Sequence, residues 1–281
     1  MPRWAVFVGV TALILILLLA LARASQLTVD GSVSSAVGAD SHRPTDHGSH
    51  DGSTDPGSNG GATESIESST AQFDAPTRPG ALSPGALLAN VALSQGLFAI
   101  VLLAGAWYAE IPPAALGVSA APLSTGPPAL GVGIAMGLGL YLVNELGTLG
   151  ANAAGIETPD ALRELLTPDS RSGWLILLVG VLPTIAVFEE LLFRAALIGA
   201  LAAGFPLSPW LLAALSSIAF ALGHGAQGTV GMVATGGLGF VLAGTFVVTG
   251  SLLVVVVAHY LVNTLEFVVH EGLGVEFALG D

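Results

Sequence analysis

The chain has 281 residues, of which 53% are hydrophobic and only 10% charged, and its mean hydropathy is +0.79. That balance excludes an ordinary soluble domain and indicates an all-α, polytopic membrane helix bundle. Seven arginines, no lysine and twenty acids leave a net charge of −13, which disfavours nucleic acid as a partner and suits a halophilic source, while the absence of cysteine excludes disulfides, thiolate nucleophiles and cysteine-held metals.

In chain order, seven stretches are apolar enough to be read as spans: 4–24, 85–108, 128–149, 174–200, 208–224, 228–249 and 252–270. The first also carries signal-peptide features, with Arg3 ahead of an apolar stretch from Val6 to Leu21 and "ARA" at 22–24. A signal's apolar core is usually about 7–15 residues, so residues 1–24 read as a retained N-terminal membrane anchor. Residues 25–80 are rich in Ser, Gly, Asp, Thr and Pro. Such a composition cannot bury enough surface to offset ordering entropy, which predicts a disordered acidic linker. His42, His47 and His50 within it read as solvated side chains rather than a metal tract.

Residues 81–281 form the predicted bundle, with short loops at 117–128 and 157–172. Glycines crowd "GVGIAMGLG" at 131–139 and "GMVATGGLGFVLAG" at 231–244, where they let helix backbones approach closely. Arg23, Arg78, Arg163 and Arg171 fall on one side if the first span is retained, opposed by Arg3, and the positive-inside rule makes that side cytoplasmic.

The fourth span contains "VFEELLFRAAL", Val187 to Leu197. On insertion scales a mid-membrane Arg, Lys or Asp costs roughly 2.5–3.5 kcal/mol, so ionisable groups at that depth are functional candidates by default. Glu190 and Arg194 are four apart on one helix face and can pair, whereas Glu189 lies about 100° round the helix. "FALGH" places Phe220 and His224 on one face, and "HYLVN" does the same for His259 and Asn263. Lipid cannot solvate polar groups, so these side chains are expected to converge on one wet interior cavity.

The ordered trio Glu189-Glu190-x-x-x-Arg194, Phe220-x-x-x-His224 and His259-x-x-x-Asn263 resembles the CAAX protease and bacteriocin-processing (CPBP, Abi) family. This family of intramembrane proteases includes the type II CAAX prenyl endopeptidase. The resemblance covers roughly 130–270, and the linker is not part of it. It implies a multi-pass protein of the cell membrane that hydrolyses peptide bonds of membrane-embedded or membrane-tethered substrates, whether CAAX-type or related. On this resemblance Glu189 is the general base activating water, assisted by His224, while His259 and Asn263 polarise the scissile carbonyl. Glu190 and Arg194 support them, and Phe220 packs within the site.

The resemblance implies glutamate catalysis without a cofactor; if zinc were used, the set would be Glu189, His224 and His259. The chain has no HExxH, since "HEGLG" at 270–274 puts Gly274 where the second histidine belongs. Glu145 and Glu266 read as solvated helix-end or cavity-mouth groups, the alternative being a cavity gate or an extra ligand. A GxSG serine site fails at Ala120, and no predicted span contains the aspartate of a GxGD site. A catalytically inactive scaffold or immunity protein on the same bundle is the alternative, and a transporter with a buried ion path a weaker one.

Overall fold

The computed structural model describes residues 1–40, 84–156 and 161–275, all of whose regular elements are helical. Met1–Val29 and Leu82–Asp281 make one compact unit; of the second, Asp30–Ala81, the described part is the end of a helix reaching Asp40. The helix therefore continues into the stretch read as linker, and His42, His47 and His50 lie outside the described residues.

The main helices are α1 (Trp4–Asp40), α2 (Pro84–Tyr108), α3 (Pro127–Ala153), α4 (Arg171–Gly204), α5 (Pro209–Gly223), α6 (Gly228–Thr249) and α7 (Leu252–Gly272). Six of them carry a stretch long and apolar enough to cross a membrane, in α1 the part Trp4–Ala24. The exception is α5. Its 15 residues extend about 22 Å against a roughly 30 Å hydrocarbon core, so the helix expected over 208–224 is shorter than the other six. His224 caps its C-terminal end.

Local sequence sets the helix boundaries. Proline opens α3 and α5, where no backbone donor is needed. Ser170 and Ser251 accept hydrogen bonds from Gly173 and Val254, capping α4 and α7, and Gly250 at φ 60° ends α6 in the left-handed region. Inside α4, Pro183 cannot donate to the preceding turn. The helix widens to i→i+5 bonding over Leu177–Val181, returns to regular α geometry over Leu182–Glu190, and widens again over Leu191–Ala200. Glu189 and Glu190 thus occupy the last turn of a short regular segment between two wide ones.

Close backbone packing positions α7. A Cβ on Gly133 would lie 2.8 Å from Val257 Cβ, and one on Gly137 2.9 Å from the Ala258 carbonyl. A Cβ on Gly131 or Gly139 would meet nothing within 4 Å. The Gly133-xxx-Gly137 face alone therefore lets α3 approach α7 beside His259. On α1, Phe7 and Ile14 are buried against Leu102, Ala106 and Leu192, and Trp4 lies against Gly204. Arg3 pairs with Glu110 at 3.2 Å and lies over the Tyr108 ring. Arg3 and the amino terminus hold the exposed Glu110 carboxyl below the usual carboxylate range.

Candidate active site

Glu190 is the hub of the buried polar groups. Its Oε1 accepts from Arg194 Nη1 at 2.8 Å and lies 2.7 Å from His259 Nδ1. Arg194 Nη2 donates to the Gly239 carbonyl at 2.9 Å, which ties α4 to α6. Gly239 permits this closeness, since a Cβ there would meet Phe220 at 2.8 Å. Glu190 and Arg194 are 0% and 1% exposed. A charge that deep is tolerated only when paired and hydrogen-bonded.

Glu189 is also buried but joined differently. Its Oε2 stands 3.6 Å from His259 Nε2 and makes no hydrogen bond. The adjacent carboxylates thus meet the two nitrogens of one imidazole: Glu190 holds Nδ1, and Glu189 faces Nε2. Two carboxylates and one guanidinium leave one negative charge, which a proton in this cluster would balance.

Phe220 does more than fill space. The Arg194 guanidinium lies 4.7 Å from its ring centroid, and the His224 and His259 rings lie 4.5 and 6.1 Å from it. His224 Nδ1 is 2.8 Å from the Phe220 carbonyl one turn back, leaving Nε2 as its other hydrogen-bonding atom. Among the described residues no hydrogen bond joins His224 or Asn263 to Glu189 or His259. The structure therefore gathers Glu189, Glu190, Arg194, Phe220 and His259 into one contact network, with His224 attached through Phe220. Asn263 follows one turn after His259 on α7.

The zinc set does not assemble. Glu189, His224 and His259 do not bring three ligand atoms together, whereas Glu145, Glu266 and His270 do, within 4.8 Å of one another. This second cluster corrects the reading of Glu145 and Glu266 as solvated helix-end groups. Glu145 is 8% exposed and lies 2.8 Å from His270 Nε2, while Glu266 accepts from Asn144 at 2.6 Å and from Arg163 at 3.2 Å. The cause is the short helix Ala161–Leu166, which brings Arg163 over them. Spacing gave a partial signal, since Glu266 and His270 are one turn apart, but the approach of Arg163 had none.

Fold and site together define a class: a multi-pass helical membrane protein with paired carboxylates and imidazoles at membrane depth. Residues 171–265 match the family model described as Type II CAAX prenyl endopeptidase Rce1-like, a stretch that contains every motif residue from Glu189 to Asn263. The chain is thus similar to this family over the stretch that carries its motifs. No curated protein and no solved structure matches it significantly.

Proposed function

We propose that this protein is an intramembrane endopeptidase acting on membrane-embedded or membrane-tethered peptides, CAAX-type or related, with water activated by Glu189 and no metal at the reacting atoms. The observation that carries the reading is the shared imidazole. Glu190, whose Oε1 is taken by both Arg194 and His259, fixes His259 through Nδ1 and so presents Nε2 3.6 Å from Glu189 Oε2, on the carboxylate that neither arginine nor histidine hydrogen-bonds.

Glu189 takes a proton from water as the oxygen attacks the scissile carbonyl. The oxyanion forms against His259 and Asn263. With Nδ1–H directed at Glu190, His259 donates from Nε2 only when doubly protonated, and that cation offsets the second carboxylate. The C–N bond then breaks, and the proton held by Glu189 passes to the leaving amine. His224 assists in orienting water.

The test is single-turnover cleavage of a membrane-tethered fluorogenic peptide, prenylated and unprenylated, by the full chain in proteoliposomes. Glu189→Gln should lower the rate at least about 10²-fold with the thermal midpoint unchanged, and a strong chelator should leave the wild-type rate intact. No cleavage by wild type of either peptide would favour the scaffold alternative. Full turnover by Glu189→Gln, or loss on chelation with recovery on adding zinc, would overturn the mechanism.

A further inference from the structure

We propose that Glu145, Glu266 and His270 form a second, independent site that binds a divalent transition-metal cation of the zinc class. One carboxylate comes from α3, and a carboxylate and an imidazole come from the end of α7; the three ligand atoms already lie within 4.8 Å of one another. A mixed carboxylate and imidazole set suits zinc and its neighbours rather than calcium or magnesium. The site is separate from the proposed reacting groups, because Glu266 is seven residues beyond His259, about 10 Å along the helix.

Three features support a cation here. The first is charge. Glu145, Glu266 and Glu271 face one guanidinium, Arg163, which bonds Glu266 at 3.2 Å and Glu271 at 2.8 Å. Two negative charges are left over among these described groups when His270 is neutral, at the edge of an apolar bundle where unbalanced charge is costly. A divalent ion cancels both.

The second is an orphan. Tyr141, one turn before Glu145 on the same face of α3, is only 8% exposed, and its hydroxyl completes no hydrogen bond. A buried hydroxyl without a partner is costly, and a water on the bound ion would supply one. The third is support from behind: Asn144 fixes Glu266 Oε1 at 2.6 Å and so aims Oε2 toward His270 Nε2, 3.8 Å away. On binding, the ion replaces the proton that His270 Nε2 shares with Glu145. That proton leaves to solvent, and Arg163 keeps Glu271.

The experiment uses the full chain in detergent, stripped with a chelator, desalted and titrated with zinc chloride by calorimetry. We expect one zinc per chain, weakened at least tenfold in Glu145→Gln and in His270→Asn, and unchanged in Glu189→Gln and in a His42/His47/His50→Ala triple variant. Absence of binding overturns the proposal. So does binding lost in Glu189→Gln, which would put the ion at the reacting site, or binding lost in the triple variant or unmoved by both cluster variants, which would mean an adventitious ion only. Should the cluster variants fail to fold, wild-type protein decides by carbethoxylation read by mass spectrometry. Zinc should protect His270 and leave His224 reactive, and an unprotected His270 refutes the site.

Discussion

Replacing Glu190 by alanine tests the clamp at the centre of the bundle. The carboxylate is fully buried and holds both Arg194 and His259 through one oxygen. Its removal leaves the guanidinium with the Gly239 carbonyl, the Phe220 face and no carboxylate in contact, only the charge of the neighbouring Glu189. Breaking a buried pair from one side costs about 3–5 kcal/mol. At roughly 2–4 °C per kcal/mol for a domain of this size, the thermal midpoint should fall by roughly 6–20 °C. The assay is thermal unfolding in detergent, with Glu189→Gln as the companion, since glutamine keeps that side chain's shape and should leave the midpoint near wild type. Pairing alone would let the exchange Glu190→Arg with Arg194→Glu recover stability. The structure predicts that it will not, because an arginine at 190 would confront His259 and a glutamate at 194 cannot donate to Gly239. A Glu190→Ala midpoint within about 2 °C of wild type, or full rescue by the exchange, would refute the hub.

Gly137→Ala should destabilise by about 1–3 kcal/mol through overpacking against Ala258, whereas Gly139→Ala, which meets open space, should be neutral or slightly stabilising; paired melts check both. Because the Glu110 carboxyl is held below its ordinary range, the stabilisation it brings is full above the ordinary carboxylate pKa and fades as pH falls through the lowered one. The midpoint difference between wild type and Glu110→Gln should therefore shrink on acidification. In sealed right-side-out vesicles the 25–80 stretch should resist added protease, and its digestion would reverse the assigned orientation.

Much of the fold was legible because lipid allows few solutions: apolar runs of membrane length become helices, and six of the seven stretches do so at spanning length. The short α5 could be measured from Pro209 and Gly223 but was counted as a full span. Helical spacing also captured the Glu190–Arg194 pair. What escaped were contacts between helices far apart in sequence. His259 reaches Glu190 across 69 positions, and Arg194 reaches Gly239 across 45. Arg163 reaches Glu266 across 103, from the short helix Ala161–Leu166, whose path no periodicity records. The wide turns of α4 escaped for another reason, since only Pro183 hints at them and the second begins eight residues later.

Those wide turns give α4 a mechanical character. Each stores slack relative to a regular helix, one stretch on either side of Leu182–Glu190. Passing one residue of that slack through the intervening segment would swing Glu189 and Glu190 by about 100°, carrying one of them into the other's place and breaking the present division of His259 between them. A single-residue insertion or deletion there would do the same permanently. The register of the two carboxylates is thus held less by the helix than by the bolt across it, Arg194 and His259 closing on Glu190. Any event that slid that bolt would work as a gear change, withdrawing the proposed base without unfolding a turn.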